Sequence, residues 1–327
     1  MKSNWKIHAK LSTLFLFILF FLFPFIDQNP YHIDVMVSAG ILVLLGLGLN
    51  VIVGYAGILN LGYAAFFAVG AYTYALVNLH WHVPFWAGLG ISALVTAVFG
   101  MLLAFPALRL SGDYLAIVTL GAGEIVRIAL NNLDSITGGP NGLLGIDHPS
   151  LFIPRYQFGV KSAPYYFLIF FLVLIFIWGL RRLESSRLGL AWNALREDEL
   201  AASCMGINTA WAKLSAFAVG GFIAGVAGCV FASKQGTVSP DSFDFVVSVM
   251  VLATVVLGGL GSLPGVILGA LILSLLPEFL RQFEMYRMFL FGVAMILMML
   301  FRPQGILGEA HHREEFRKKT KSRSSSF

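Results

Sequence analysis

The sequence predicts an all-α polytopic membrane protein with about ten transmembrane helices, and eight would also fit its charge distribution. Between Asp34 and Arg109 the chain contains no Asp, Glu, Lys or Arg. A water-exposed surface needs ionic groups, whereas in lipid the same uncharged stretch is favourable. The composition agrees, with 58% hydrophobic residues, 12% charged residues and a mean hydropathy of +0.81. These values are typical of a membrane protein and exclude a soluble fold.

The predicted helices are apolar runs long enough to span the hydrocarbon core, where backbone groups must pair within the helix. In order, they cover Leu11–Ile26, Val35–Val53, Leu59–Val77, Phe85–Phe105, Tyr114–Leu130, Ala163–Leu180, Ala212–Ala232, Phe245–Leu260, Gly265–Leu280 and Met288–Phe301. The first is interpreted as a retained helix, because Asp27 and Pro30 follow it where a signal peptide would have small residues. The last few are short, which allows half-spanning or tilted helices.

The basic residues predict that both ends of the chain face the cytosol. With the N-terminus inside and every segment crossing, 16 of the 22 Lys and Arg lie on the inner side and five on the outer side. This bias is typical of cytoplasmic loops. Residues 1–10 then form a cytosolic N-terminus, 11–302 the transmembrane domain, and 303–327 a basic tail that is expected to be disordered. The tail is a candidate for contact with anionic lipid, and nothing in the charge pattern indicates nucleic acid as a partner.

Two connections stand out by their length. The outer loop 131–162 is rich in turn-forming residues, and the inner loop 181–211 is long enough to hold a surface helix. Within the inner loop, the stretch Ala194–Asn208 begins with acids and ends at a glycine, which predicts a short helix with a glycine stop. This helix has an apolar side that needs a partner, formed by Leu200, Ala201, Met205 and Ile207.

Motifs of enzymes are absent from the sequence. There is no phosphate-binding Gly-x-x-x-x-Gly-Lys-Ser/Thr loop, no Gly-x-Ser-x-Gly elbow and no His-Glu-x-x-His. His80 and His82 flank Trp81 in what is interpreted as an interfacial turn, and Cys204 and Cys229 lack metal-ligand spacing. We therefore predict no catalytic, cofactor-binding or metal-binding residues, and a membrane enzyme is a weak hypothesis.

One pair of charges lies inside a predicted helix. Glu124 and Arg127 are three residues apart and so share a helix face. The favoured interpretation is a neutralised structural pair, and the alternative is the polar lining of a transport pathway. A secondary transporter driven by an ion gradient would need ionisable residues in several helices, whereas this pair lies in one.

Small residues interrupt the apolar pattern at three places. Gly261, Gly265 and Gly269 recur every four residues, as do Gly221 and Gly225, and such ridges let helices approach closely. The stretch from Gly54 to Tyr63 is broken by Gly and Asn. It is interpreted either as an unwound element near a pathway or as a tight turn between two helices.

Several of these segments resemble a known family. Asp198-Glu199-Leu200-Ala201-Ala202, followed by Gly206, resembles the Glu-Ala-Ala-x-x-x-Gly coupling motif of bacterial ABC importer permeases. From about Ile41 to Leu307 the chain resembles the permease subunit of branched-chain amino-acid ABC importers, of the LivM type. The segments that carry this resemblance are Gly48–Gly57, Gly62–Tyr72, Gly123–Arg127, Thr137–Gly142, Arg196–Glu199 and Arg302–Leu307.

The resemblance implies the ten-helix fold of type II importer permeases and a place in the bacterial inner membrane. It implies as partners a homologous permease subunit, two cytosolic ATPases that carry ATP and Mg, and an extracytoplasmic substrate-binding protein. Ala201, Ala202 and Gly206 match the small positions of the coupling motif. Glu199 is offset by one position from the acid of the general motif, and no Leu-Pro follows. Glu124 and Arg127 match a recurrent pair of the family.

The cargo implied by the resemblance is a branched-chain amino acid. Relatives with the same machinery move urea or short amides, so these remain an alternative. The sequence does not decide between them, because the binding protein selects the cargo in such importers.

Overall fold

Long helices account for most of the described chain, as the apolar runs predict. The computed structural model describes residues 23–24, 29–108, 110, 112–149, 162–279, 292–293, 296 and 305–306. The helices are α1 (Pro30–Leu49), α2 (Tyr63–Trp81), α3 (Phe85–Ala107), α4 (Asp113–Asn132), α5 (Asp134–Thr137), α6 (Ser162–Glu184), α7 (Arg187–Glu197), α8 (Glu199–Cys204), α9 (Thr209–Gln235), α10 (Phe245–Gly258) and α11 (Leu263–Phe279). Shorter elements are a π turn (Asn50–Tyr55), two 3-10 turns (Gly139–Asn141 and Pro240–Phe243) and the strands β1 (Leu143–Leu144) and β2 (Thr237–Val238).

Six helices within these described ranges are long and apolar enough to cross a membrane. They cover Pro30–Tyr55, Phe85–Pro106, Tyr114–Asn132, Ala163–Glu184, Thr209–Gln235 and Pro240–Gly258. The apolar helix Leu263–Glu278 is shorter. The predicted segments Leu11–Ile26 and Met288–Phe301 lie almost wholly outside the described residues, as do residues 1–10 and most of the tail 303–327. The count of ten crossings stays a prediction.

The centre of the bundle is α9, which packs against α2 and α3. Glycines allow this close approach, because a Cβ atom on Gly228 would lie 2.5 Å from the backbone nitrogen of Ala71. A Cβ atom on Gly225 would lie equally close, at 2.5 Å, to the carbonyl oxygen of Ser92 on α3. The predicted glycine ridge on this helix is confirmed, and it lets backbone pack directly on backbone.

A second glycine contact joins α10 to α11. A Cβ atom on Gly265 would lie 2.1 Å from the carbonyl oxygen of Gly258, and one on Gly269 would lie 2.3 Å from that of Thr254. Gly261, which the periodicity placed in the same ridge, lies instead in the turn before α11 with a φ of +83°. Its role is therefore conformational, since only glycine adopts that backbone region without strain.

The two ends of the bundle carry different structures. We call the end with α7, α8 and the α10–α11 turn the helix end, and the opposite one the strand end. At the strand end, β1 and β2 pair antiparallel with Leu143 opposite Val238. This pairing joins the loop after α4 to the loop after α9. The Asn78 side chain accepts a hydrogen bond from the Asp147 backbone nitrogen at 2.9 Å and so anchors the first loop to α2.

Candidate functional site

A break between α1 and α2 is the first candidate feature. The helix of α1 continues as the π turn, in which the backbone N–H of Ala56 donates to the Val51 carbonyl at 3.1 Å. No helix then forms until Tyr63, so Ala56–Gly62 is a non-helical segment, which we call the broken segment. The interpretation of this stretch as an unwound element agrees with this geometry.

The broken segment enters the bundle from the helix end. Its Leu61 backbone N–H donates to the Thr119 hydroxyl of α4 at 3.1 Å. The N–H of Ala64, just beyond it, donates to the Ser248 hydroxyl at 2.8 Å. Ser248 lies in the first turn of α10, towards the strand end. Side chains of α4 and α10 thus satisfy backbone groups that the missing helix leaves free, as an apolar environment requires.

Two amide nitrogens beside the broken segment lack a hydrogen-bond partner among the described residues. They are the Nδ2 atoms of Asn50 and Asn60, and both side chains are buried. The oxygen of each is used, since Asn60 accepts from Gly62 at 2.9 Å and Asn50 accepts from Gly261 at 2.9 Å. Buried donors without a partner are costly in a protein interior, so each of these two groups needs an explanation.

The charged pair lies on α4, close to this segment. The Arg127 Nε donates to both Glu124 carboxylate oxygens, at 3.0 and 3.1 Å, and the Nη2 atom donates to Oε1. The side chains are 33% and 40% exposed for Arg127 and Glu124. The hydrogen bonds described for the pair stay within one helix, so the two charges neutralise each other on a half-exposed face of α4.

A second non-helical segment approaches α4 from the strand end. The turn Pro240–Phe243 contacts α4, and it carries Asp241 within it and Asp244 directly after it. Phe243 anchors the turn in the core, with its ring centroid 5.1 Å from that of Phe67 on α2. The polar face of α4 is therefore flanked by irregular backbone from both ends of the bundle.

The inner loop holds the residues predicted to couple to an energy source. Asp198 caps α8 by accepting from the N–H groups of Leu200 and Ala201, at 2.8 and 3.0 Å. Ala202 is buried beneath the helix, while Ala201 faces outward. Gly206 ends the segment with a φ of +81°. The predicted short helix with a glycine stop is confirmed, although α8 is only 6 residues long and is separate from α7.

Glu199 connects α8 to the membrane-spanning α9. Its carboxylate lies 2.7 Å from the Lys213 Nζ, and the Lys213 side chain is 6% exposed. A buried ammonium needs a counter-charge, so this contact fixes α8 to the start of α9. Sequence analysis did not predict this contact, because thirteen residues and a helix boundary separate Glu199 from Lys213.

The outer face of α8 is apolar and uncovered by the described chain. Leu200 is 77% exposed and Met205 is 82% exposed. Two large apolar side chains held in water on one short helix are typical of a contact surface for another protein. The prediction that this helix has an apolar side in need of a partner agrees with these exposures.

Arg196 links α7 to the broken segment, which sequence analysis missed. Its guanidinium donates to the Gly54 carbonyl at 2.7 Å across 142 positions of sequence. Gly57, with a φ of +70°, lies against the same side chain, since a Cβ atom there would be 2.9 Å from the Arg196 Cγ. Arg196 belongs to a motif that was noted by resemblance, but no local pattern indicates its partner.

Comparison with known families accounts for most of the chain. Residues 31–299 match the model of the family described as "Branched-chain amino acid transport system / permease component". The chain belongs to this family. It is therefore a permease, a multi-pass membrane protein whose family role is transport rather than catalysis.

Curated relatives agree with the family assignment. The permease is 45% identical over 321 residues to the high-affinity branched-chain amino acid transport system permease protein LivM of Salmonella typhimurium, covering 92% of this chain and 75% of the relative. The identity and both coverages are the same for LivM of Escherichia coli K12. The permease protein LivH of Escherichia coli K12 is 34% identical over 125 residues, which is 38% of this chain and 40% of LivH. No solved structure matches the chain significantly.

Proposed function

We propose that this permease is one of two membrane subunits of an ATP-driven importer of branched-chain amino acids in the bacterial cytoplasmic membrane. It takes leucine, isoleucine or valine from an extracytoplasmic binding protein and releases it into the cytosol by alternating access. The observation that carries this proposal is the exposed apolar face of α8, linked through Glu199 and Lys213 to the start of a spanning helix.

The helix end is the proposed site of coupling to two cytosolic ATPases, which bind the ATP and Mg. Leu200 and Met205 offer the ATPases an apolar contact. Their neighbours Ala201 and Gly206 have no bulky side chain. Movement of α8 reaches α9 through the Glu199–Lys213 ion pair. Movement of α7 reaches the π turn through the hydrogen bond from Arg196 to Gly54, and it reaches the broken segment through the contact of Arg196 with Gly57. Orientation with both chain ends in the cytosol places this surface on the side where ATP is found.

The polar face of α4 is the proposed lining of the transport pathway. Glu124 and Arg127 are half-exposed, and the turn that carries Asp241 contacts the same helix. A charged pair at membrane depth is stable beside water or polar groups and costly beside lipid. Non-helical backbone at membrane depth is likewise tolerated where it lines a cavity.

A homologous permease is the proposed partner across this face. Tyr114, Ile117 and Ile125 on α4 are 74%, 66% and 67% exposed, so α4 is free to contact a second subunit. Both LivM and LivH of Escherichia coli are named as permease proteins of a branched-chain amino acid system, and both match this chain. A heterodimer of two related permeases follows, with the pathway between them.

ATP hydrolysis by the whole assembly in liposomes tests the proposal. The binding protein is added loaded with leucine, loaded with urea, or empty. We expect stimulation by the leucine-loaded form alone. Stimulation by the urea-loaded form would support an importer whose cargo is urea. Uptake under an ion gradient without ATPases would contradict the proposal and indicate a secondary transporter.

Deletion of Glu199–Gly206 tests the coupling surface separately. We expect ATP-driven uptake to be abolished while the permease remains in the membrane, because the spanning helices keep their packing on one another although Lys213 loses its counter-charge. Normal uptake by the deletion variant would refute a coupling role for α8.

A further inference from the structure

The carbonyl of Gly54, near the end of the π turn, has a side-chain donor where a continuous helix would give it a backbone donor. In an α-helix this carbonyl accepts from the N–H four residues further on, which is that of Ile58. The Ile58 N–H donates instead to the Ile52 carbonyl, at 3.0 Å. The Arg196 guanidinium of α7 takes its place and donates to the Gly54 carbonyl at 2.7 Å. A side chain from a distant helix thus replaces a backbone bond of α1.

Gly57 is the residue at which the chain leaves the helical conformation. Ala56 before it is still right-handed helical, with a φ of −90° and a ψ of −10°, whereas Gly57 has a φ of +70°. No other residue of the broken segment, all of which the structure describes, has a positive φ. Glycine adopts both signs of φ at little cost, so a rotation at this one residue lets the helix continue.

Arg196 also packs against this glycine. A Cβ atom on Gly57 would lie 2.9 Å from the Arg196 Cγ and 3.1 Å from its Cα. The guanidinium lies close to the α10–α11 turn as well, because a Cβ atom on Gly261 would be 3.2 Å from Nη1. The Gly261 N–H donates to the Asn50 side chain at 2.9 Å, which joins this turn to the end of α1. Arg196 therefore fills the space beside Gly57 and holds the carbonyl that a longer helix would need for Ile58.

The helix that carries Arg196 is firmly joined to the start of α9. Trp192 lies one turn before Arg196 on α7 and is fully buried. Its Nε1 donates to the Ala212 carbonyl and to the Ser215 hydroxyl, both at 3.0 Å. Asp198 is the single residue between α7 and α8, and α8 is joined to α9 by its own ion pair. A displacement of α8 is therefore passed to Arg196 over a short path.

We propose that Arg196 is a positioning residue that keeps Gly57 left-handed, and that withdrawal of Arg196 lets α1 extend into the broken segment. When α7 and α8 move, the Gly54 carbonyl loses the guanidinium and Gly57 rotates to a helical φ. The Ile58 N–H then passes from the Ile52 carbonyl to that of Gly54. This donor stays paired throughout, as an apolar environment requires.

The extension changes the wall of the proposed pathway. A helical residue advances the chain by about 1.5 Å, against about 3.3 Å for an extended one, so the broken segment shortens as it winds. Its Leu61 N–H, which donates to Thr119 of α4, is drawn away from that helix. This step rests on the proposed function for the force that moves α7, and it names Arg196 and Gly57 as the residues that transmit it.

Hydrogen–deuterium exchange of the intact transporter in nanodiscs, without nucleotide, tests the role of Arg196. In Arg196→Gln the Gly54 carbonyl loses its charged donor, so α1 should extend. The amides of residues 57–61 should then exchange about tenfold more slowly than in the wild type, the effect of one hydrogen bond to a charged group. A merely structural role for Arg196 predicts the opposite, a looser segment and faster exchange. Arg196→Lys keeps a charged donor and should restore the wild-type rate.

Gly57→Ala should produce the same slow exchange with Arg196 in place. Alanine is disfavoured about tenfold at a φ of +70°, and its methyl group would crowd the Arg196 Cγ. The matched control is Gly112→Ala, because Gly112 has a φ of +61° and a Cβ atom there would meet nothing within 4 Å. Arg187→Gln, at the exposed start of α7, is the control for the loss of a charge. Unchanged or faster exchange in Arg196→Gln and Gly57→Ala, or equal slowing in the controls, would overturn the proposal.

Two further measurements separate this hinge from the proposed function. Exchange is compared between the ADP-bound and the vanadate-trapped transporter, and residues 57–61 should exchange more slowly in the trapped wild type but equally in both states of Arg196→Gln. Equal exchange in the two wild-type states would refute the link from α8 to Gly57. ATP hydrolysis with a leucine-loaded binding protein is measured on the same samples. Absence of stimulation in the wild type would refute the proposed function, whereas normal stimulation with unchanged exchange in both variants would refute the hinge alone.

Discussion

Two helices of similar character, α9 and α4, have very different surroundings. Both are long and apolar enough to cross the membrane, yet 67% of the most apolar stretch of α9 is buried inside the chain, against 17% for α4. α9 packs backbone to backbone through its glycines, while α4 carries an ion pair on a half-exposed face. Hydropathy identifies both as spanning helices, although α4 is the less apolar of the two. The difference shows that α9 supports the fold, whereas α4 presents a polar surface to whatever lies beside it.

The largest expected effect on stability comes from filling the α9 contact. In Gly228→Ala the new methyl group meets backbone atoms of Phe67, Gly70 and Ala71, which cannot move independently. We expect a loss of about 3 kcal/mol, at the upper end for overpacking, seen as a lower Tm of the purified protein in detergent. The matched control is Gly121→Ala on α4, where the new methyl group meets nothing within 4 Å. Equal melting temperatures for the two variants would contradict the difference in packing between α9 and α4.

The α4 pair should separate stability from transport. Arg127→Gln leaves the Glu124 carboxylate unpaired in the membrane span, and we expect a lower Tm together with loss of uptake in proteoliposomes. The double variant Glu124→Gln/Arg127→Gln carries no unpaired charge, so its Tm should recover while its uptake stays low. Recovery of both properties would assign the pair a structural role only.

A smaller effect on stability is expected from the ion pair between Glu199 and Lys213, at the start of α9. Glu199→Gln removes the charge that faces the buried Lys213 ammonium, at a cost of about 1.5 kcal/mol for a hydrogen bond to a charged group with one exposed partner. We expect more ATP to be hydrolysed per leucine transported. Glu197→Gln, on the exposed end of α7, is the control, and the same ratio of hydrolysis to transport in both variants would contradict a coupling role for the ion pair.

The smallest predicted effect concerns the glycine stop of α8. Gly206 has a φ of +81°, and a Cβ atom there would meet nothing within 4 Å. Gly206→Ala should therefore cost only the backbone term of about 1 kcal/mol. A locally faster amide hydrogen exchange in α8, with an unchanged Tm for the bundle, is the expected measurement. Slower exchange in α8 would contradict the assignment of this glycine to a left-handed turn.

Sequence patterns predicted the spanning helices well because lipid imposes one simple rule on them. α3, α4 and α6 begin and end within a few residues of the predicted apolar runs. α2 is shifted along the chain, beginning at Tyr63 and ending at Trp81 instead of covering Leu59–Val77. Hydropathy counts the apolar residues of the broken segment as helix, although Gly57 and Gly62 take part in contacts that a helix would not allow.

The sequence predicted features of the candidate site only where residues close together in the chain form a pattern. The acid-capped α8 and its stop at Gly206 follow from neighbouring residues, and they were found. The contacts of Lys213 with Glu199 and of Arg196 with Gly54 join distant parts of the chain. The pairing of β1 with β2 does the same. No periodicity encodes such contacts, since they arise from the order in which the helices pack.

The π turn at Asn50–Tyr55 makes the orientation of the chain after it depend on the number of residues in the turn. A π turn holds one residue more than the α turn it replaces, so it behaves as an insertion that the helix has absorbed. Removing any one residue there would restore a continuous α-helix and rotate all that follows by about 100° relative to α1. The Gly54 carbonyl would then turn away from Arg196, whichever residue had been deleted. At this point the number of residues matters more than their identity, and a single codon lost from this stretch should be more harmful than most substitutions within it.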